Sequence, residues 1–160
     1  MMTRATKFLE KKKIPFQVRK YEHETKGAEF AARAIGFPLE KTIKTLVVNL
    51  DGTSQALALM PGDKQLDLKR ISKACSAKKA AMADTSVAER LTGYKVGGIS
   101  PFGTMKKLPA VMDESLVKHG TVSINGGQRG VMLIMNPEDI VRALGCGVYR
   151  LSRETPKAET

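Results

Sequence analysis

Apolar positions change their spacing repeatedly along the first third of the chain. In TRATKFLEKKK, Ala5, Phe8 and Leu9 share one helical face, and Thr3 stands where its hydroxyl can cap the first turn. PFQVRKY then alternates as a strand does. GAEFAARAIG returns to helical spacing through Ala28, Ala31 and Ile35, with Phe30 and Ala34 beside them and Gly36 as a stop. IKTLVVNL follows neither pattern, because apolar and β-branched residues occupy both of its faces. That predicts a central strand covered on both sides. DGT turns it into SQALALMP, a predicted hairpin partner.

The remainder is punctuated more densely. DLKRISKAC and TSVAERLTG read as helices, the second with Thr85 or Ser86 near its cap. AVMDES, TVSING and VMLIM read as three short strands joined by turns. NPEDIVRALG has Asn136 to cap it, Pro137 and acids in the first turn, and Gly145 at its end. GVYRL supplies a last strand. Hairpin strands that do not alternate strictly with helices predict an α+β fold with a mixed sheet, which a partial barrel would also satisfy. No glycine fingerprint joins a first strand to a helix and no GxxxxGK[ST] occurs, so dinucleotide-binding and P-loop plans are disfavoured.

The length of 160 residues favours one domain, expected over residues 1–153, with a disordered tail at 154–160. No window approaches about eighteen uncharged apolar residues, which argues against a membrane span. MMTRATKFLEKKK reaches charge too early for a secretory signal, so a cytoplasmic location is expected. Cys75, Cys146, His23 and His119 are isolated, giving no support for a disulfide framework or a metal site. Cys75 reads as a small core residue rather than a nucleophile.

Charge changes the picture more. Lys and Arg number 27 against 16 acids, a net +11, and the excess is grouped. The groups are Lys11 to Lys13, Lys41 with Lys44, the run Lys69, Arg70, Lys73, Lys78 and Lys79, and Lys106 with Lys107. Such an excess attracts polyanions by counterion release, although it also serves solubility. A nucleic-acid or phosphate partner is expected.

Two features carry candidate chemistry. Lys44 enters an apolar strand, where an ammonium costs desolvation unless it has a partner or an exit to water. It is either a strand-end lysine reaching solvent or a cation set in a pocket for a phosphate or an oxygen. In YKVGGISPFG, Gly97 and Gly98 admit close approach to the backbone, while Pro101 restricts itself and Ser100. A stiff array of N–H groups suits an oxyanion or an ester carbonyl, yet a glycine-rich turn is by default only a turn. INGGQRGV reads as a tight hairpin, with Arg129 as a further phosphate candidate.

Taken in order, KYEHE, EFAARAIG, IKTLVV, QLDLKRISKACSAKKAAMAD, TGYKVGGISPFG, LPAVMDES and SINGGQRG resemble the YbaK-like family of aminoacyl-tRNA deacylases. That family also supplies the editing domain inserted in bacterial prolyl-tRNA synthetases. The resemblance runs from about Phe8 to Leu151, and its most specific pieces are K-T-L-V and G-x-x-x-P. It implies a mixed sheet curled into a barrel-like body, and a free-standing domain that hydrolyses the ester between a wrong amino acid and the tRNA 3′ adenosine. It further implies neither metal nor cofactor. The family lysine falls on Lys44 and the backbone-rich loop on Gly97, Gly98, Ile99, Ser100 and Pro101. The aminoacyl pocket falls on Tyr21, Phe30, Thr45 and Ser100. The implied partner is the acceptor end of aminoacyl-tRNA, with prolyl-tRNA synthetase as a further candidate.

YEHE, QLDLK and TGYKVGGISP look more like the branch acting on cysteinyl-tRNA(Pro). Cysteine-editing members carry acids in the strand after R-G, whereas here RGVMLIM places Met132 and Ile134 there. Alanine or another small residue is therefore an alternative substrate. A catalytically silent tRNA- or synthetase-binding module is a second alternative, against which Lys44 and the intact G-x-x-x-P both count. A general single-strand binder is disfavoured by 5% aromatic content and no Trp.

Overall fold

The computed structural model describes residues 2–22 and 27–154, so His23 and the expected tail beyond Glu154 lie outside the described residues. The helices are α1 (Arg4–Lys11), α2 (Ala28–Ile35), α3 (Leu68–Ala74), α4 (Thr85–Thr92) and α5 (Pro137–Leu144). The strands are β1 (Gln17–Lys20), β2 (Thr42–Leu50), β3 (Ser54–Pro61), β4 (Ala80–Met82), β5 (Ala110–Asp113), β6 (Val122–Asn125), β7 (Val131–Met135) and β8 (Gly147–Tyr149).

Local chemistry explains most of the ends. Thr3 and Thr6 form a reciprocal capping box on α1, and Asn136 accepts from the Glu138 N–H with Pro137 opening α5. Gly36, Gly93 and Gly145 end their helices in the left-handed conformation. Helix α4 is preceded by Asp84 rather than capped by Thr85 or Ser86. The AVMDES segment is a strand only as far as Asp113, after which Glu114–Lys118 turn into a 3₁₀ helix. Asp113 causes the change of direction, because its carboxylate accepts from the Ser115 N–H and, 38 residues on, from the Leu151 N–H at 2.8 Å.

The strands form one mixed sheet in the order β1-β7-β6-β2-β3-β5-β8, with β4 paired to β2 off this path. Among the described residues β1 and β8 are its edges and do not pair, so the sheet is open rather than a closed barrel. On one face Val47, Leu57, Leu59, Met112, Ile124 and Leu133 join α1 and α5 in the larger core. On the other Val48, Leu50, Ala56, Ala58 and Met60 pack with Ile71 of α3 and Leu151. Covering on both faces is what the unbroken apolar run of β2 requires.

β2 is where the sheet divides. On the side away from β3, its first residues Thr42 and Ile43 pair in parallel with β6, and its last, Val48 to Leu50, pair with β4. Among the described residues no strand lies beside that edge between them. The Thr42 carbonyl accepts from the Gly62 N–H on the β3 side, whereas the Val47 carbonyl accepts from the Ala83 N–H on the other. Backbone groups alternate along a strand, so Thr45 turns its N–H and C=O into the gap. A buried relay pins the β6 end of the fork: the Ser123 hydroxyl donates to Thr42 Oγ1 at 3.1 Å, and Thr42 Oγ1 donates to the Pro38 carbonyl at 2.9 Å.

Candidate active site

A cavity of about 330 Å³ opens at this fork. Residues 43–47 of β2 form its floor, Ala28 and Ala31 of α2 one wall, and Ala83, Thr85 and Ala88 another. Val96, Gly97 and Ile99 of the glycine loop close it against Asn125 and Met132. Its size is at the lower end for small-ligand sites, about 300–1,000 Å³, and its lining is largely apolar with few polar groups.

Two of those polar groups lie side by side on β2. Lys44 and Thr45 leave opposite faces of the strand, and both reach the cavity because it follows the open edge. Burial lowers the Lys44 pKa from its ordinary value, while the Asp63 carboxylate acts the other way. Among the described residues Lys44 has no carboxylate within salt-bridge distance. Thr45 Oγ1 is buried without a hydrogen-bond partner among the described residues. A hydroxyl in that state carries a desolvation cost that a bound polar group would relieve.

The glycine loop forms the opposing wall. Gly97 has φ +93°, outside the range comfortable for other residues. Among the described residues neither the Gly97 N–H nor the Ile99 N–H has a protein acceptor. Gly98 is buried where a Cβ would stand 2.9 Å from the Arg129 nitrogen and 3.0 Å from the Gln128 carbonyl carbon, so the loop and the β6–β7 hairpin touch backbone to backbone. At the far end of the loop the Tyr94 hydroxyl donates to the Phe102 carbonyl. Burial pushes the Tyr94 phenol up to about 12, with the Arg4 charge opposing the rise.

Of the residues singled out from the sequence, Tyr21, Lys44, Thr45, Gly97 and Ile99 line the cavity together. Gly98, Ser100 and Pro101 are buried behind them and do not line it. Ser100 is turned into its own loop, its hydroxyl oxygen accepting from the Phe102 N–H at 3.2 Å. Phe30 also lies outside the lining and backs Tyr21, with ring centroids 6.1 Å apart. Arg129 stands behind the loop and donates through Nε to the Val96 carbonyl at 2.7 Å. Of the two positions that depart from the cysteine-editing pattern, Met132 lines the cavity and Ile134 does not.

Sequence reasoning missed Asn125 and the β4 segment with Met82 and Ala83, all of which contribute to the cavity. Asn125 was hidden by a rule that usually serves well, since asparagine before Gly-Gly signals a turn. It does make that turn, accepting from the Gly127 N–H, but its amide also donates to the Gly97 carbonyl at 3.0 Å.

An apolar cavity with one cation, one unpaired hydroxyl and a wall of free amides can hold an ester more readily than it can activate a nucleophile. The fold and this site define a class: residues 22–143 match the family described as the aminoacyl-tRNA editing domain, and the chain belongs to that family of hydrolytic editing enzymes. More particularly, it is 31% identical over 141 residues to EbsC of Enterococcus faecalis, a proposed Cys-tRNA(Pro)/Cys-tRNA(Cys) deacylase, covering 87% of this chain and 86% of that one. It is 28% identical over 125 residues to the multifunctional Ser/Thr-tRNA deacylase ProXp-y of Escherichia coli K12, covering 75% of each. The fold superposes with a TM-score of 0.86 on the crystal structure of a proposed trans-editing enzyme for prolyl-tRNA synthetase. That pair is 26% identical, covering 94% and 96% of the two chains.

Proposed function

We propose that this protein is a free-standing deacylase that clears mischarged tRNA, with cysteinyl-tRNA(Pro) as its principal substrate, acting in the cytoplasm and in trans to prolyl-tRNA synthetase. One observation carries this reading: Lys44, Gly97 and Ile99 line one cavity across the open edge of β2, and among the described residues the Gly97 and Ile99 N–H groups have no protein acceptor. An aminoacyl ester is already activated, so placing it against preorganised donors supplies much of what hydrolysis needs. The Lys44 ammonium binds the terminal phosphate or ribose region. The loop amides hold the carbonyl oxygen as charge develops on it, and Tyr21 and Thr45 border the aminoacyl group. The η nitrogens of Arg129 have no protein acceptor among the described residues and are available to a phosphate.

With a cysteinyl ester the substrate thiol itself attacks the carbonyl. A C–S bond forms, the C–O bond to the ribose breaks, and the thiol proton leaves with the ribose oxygen. This route needs no nucleophile from the protein. A second reading, removal of alanine or another small residue, is supported by Met132, which gives the cavity an apolar side chain where cysteine-editing members carry acid. In that case water attacks the same amide-bound carbonyl.

Incubation with a panel of tRNAs charged with cysteine, alanine, serine, threonine and proline separates these readings. Loss of cysteine from tRNA(Pro) at the highest rate is the expected result. Lys44→Ala is expected to slow deacylation by about a hundredfold or more while the far-UV circular dichroism stays unchanged. Wild-type turnover in that variant would remove Lys44 from the mechanism.

A further inference from the structure

The free amides of the glycine loop are useful only if they point one way, and glycine contributes nothing towards that. Gly97 has wide conformational freedom of its own, so its orientation has to be imposed from outside. The structure supplies three side-chain clamps on two consecutive residues. The Val96 N–H donates to Glu89 Oε2 at 2.8 Å, reaching back seven residues to α4. The Val96 carbonyl accepts from Arg129 Nε at 2.7 Å, and the Gly97 carbonyl accepts from Asn125 Nδ2 at 3.0 Å.

Peptide planarity makes these clamps matter for the cavity. The Val96 carbonyl and the Gly97 N–H belong to one trans peptide unit and point in opposite directions. Drawing the carbonyl towards Arg129, which lies outside the lining, turns the Gly97 N–H the other way. Among the described residues that N–H has no protein acceptor. Glu89 fixes the preceding peptide unit through the Val96 N–H, a charge-assisted bond stronger than a neutral one. It is also the only acid among the three clamps, set in a strongly basic chain.

We infer that Glu89 is a positioning residue of the deacylase, holding the Lys95–Val96 peptide so that the Gly97 amide faces the ester. It touches neither cavity nor substrate and acts through the loop. This inference rests on the deacylase reading above. A helical glutamate would otherwise be taken as part of a solvated face, and here the Val96 bond gives it a second task.

The test is steady-state deacylation of mischarged tRNA by Glu89→Ala and Glu89→Gln, with thermal unfolding and amide exchange on the same proteins. Glu89→Ala should lower kcat roughly ten- to hundredfold, the scale of one lost charge-assisted hydrogen bond, with KM changed less than about twofold. Glu89→Gln keeps an acceptor and should recover much of kcat. Exchange at the Val96 amide should quicken in Glu89→Ala while α4 stays protected. Unimpaired kcat in Glu89→Ala would overturn the inference alone. Equal losses in both variants, accompanied by a lowered Tm and exposure of α4, would also overturn it by showing a merely structural role. Absence of turnover by the wild-type protein on every mischarged tRNA would overturn the deacylase reading and this inference with it.

Discussion

Lys44 is partly buried on an apolar strand, and burial lowers its pKa below the ordinary lysine value. Between the folded and unfolded values the unfolded chain binds the extra proton, so stability rises with pH across that window. Below it the cost of burying the ammonium is present in full. Lys44→Met should therefore raise Tm by about 1–3 °C at neutral pH, while deacylation falls about a hundredfold or more. Thermal unfolding and deacylation on one preparation check this, and a lowered Tm would mark Lys44 as a packing residue. The enzyme-dependent rate, corrected for spontaneous ester hydrolysis, should decline as pH rises through the lowered Lys44 value. Lys44 was legible in the sequence because a cation in a β-branched run sets local chemistry against burial. Glu89 was not, since nothing in the pattern of α4 separates it from an ordinary surface glutamate.

At the scale of elements, most of the chain could be read because its helices carry capping and stop residues and its long strands carry an unmistakable apolar run. β4 could not. Ala80–Met82 is three residues long and follows Lys78 and Lys79, too short to establish a period. It is nevertheless the segment that takes the last third of β2, and so leaves the gap in which the cavity forms. The contact between loop and hairpin was equally invisible, because Gly97–Gly98 and Gly126–Gly127 are nearly 30 residues apart and each pair has a sufficient local explanation as a turn. Gly98→Ala tests that contact. Its Cβ would meet main chain at 2.9–3.1 Å with no flexible side chain to yield. A loss of about 1–3 kcal/mol in unfolding free energy is expected, together with reduced deacylation as the loop moves off the hairpin. Denaturant unfolding checks the first effect, and wild-type stability would show that the two turns separate freely.

For the molecule as a whole, the net +11 is the feature on which the proposed encounter with tRNA would depend. If three phosphates are neutralised in the complex, affinity should fall about fortyfold between roughly 50 and 200 mM salt, and titrations at several salt concentrations give the slope. A flat response would remove the lysine groups from tRNA binding. Mixed-sheet architecture could be read from the order of hairpins and helices, whereas the absence of barrel closure could not, because pairing of the two edges depends on accumulated twist. At this scale the division of labour in the cavity has an evolutionary consequence. In the deacylase reading proposed above, the groups that grip the ester are mostly main chain: the loop amides and the open edge of β2 at Thr45. Those that would border the amino acid in that reading, Met132 of the cavity lining among them, are side chains. Point mutation changes side chains and leaves peptide groups in place. Such a site can change which error it corrects, one substitution at a time, without ceasing to be an editor.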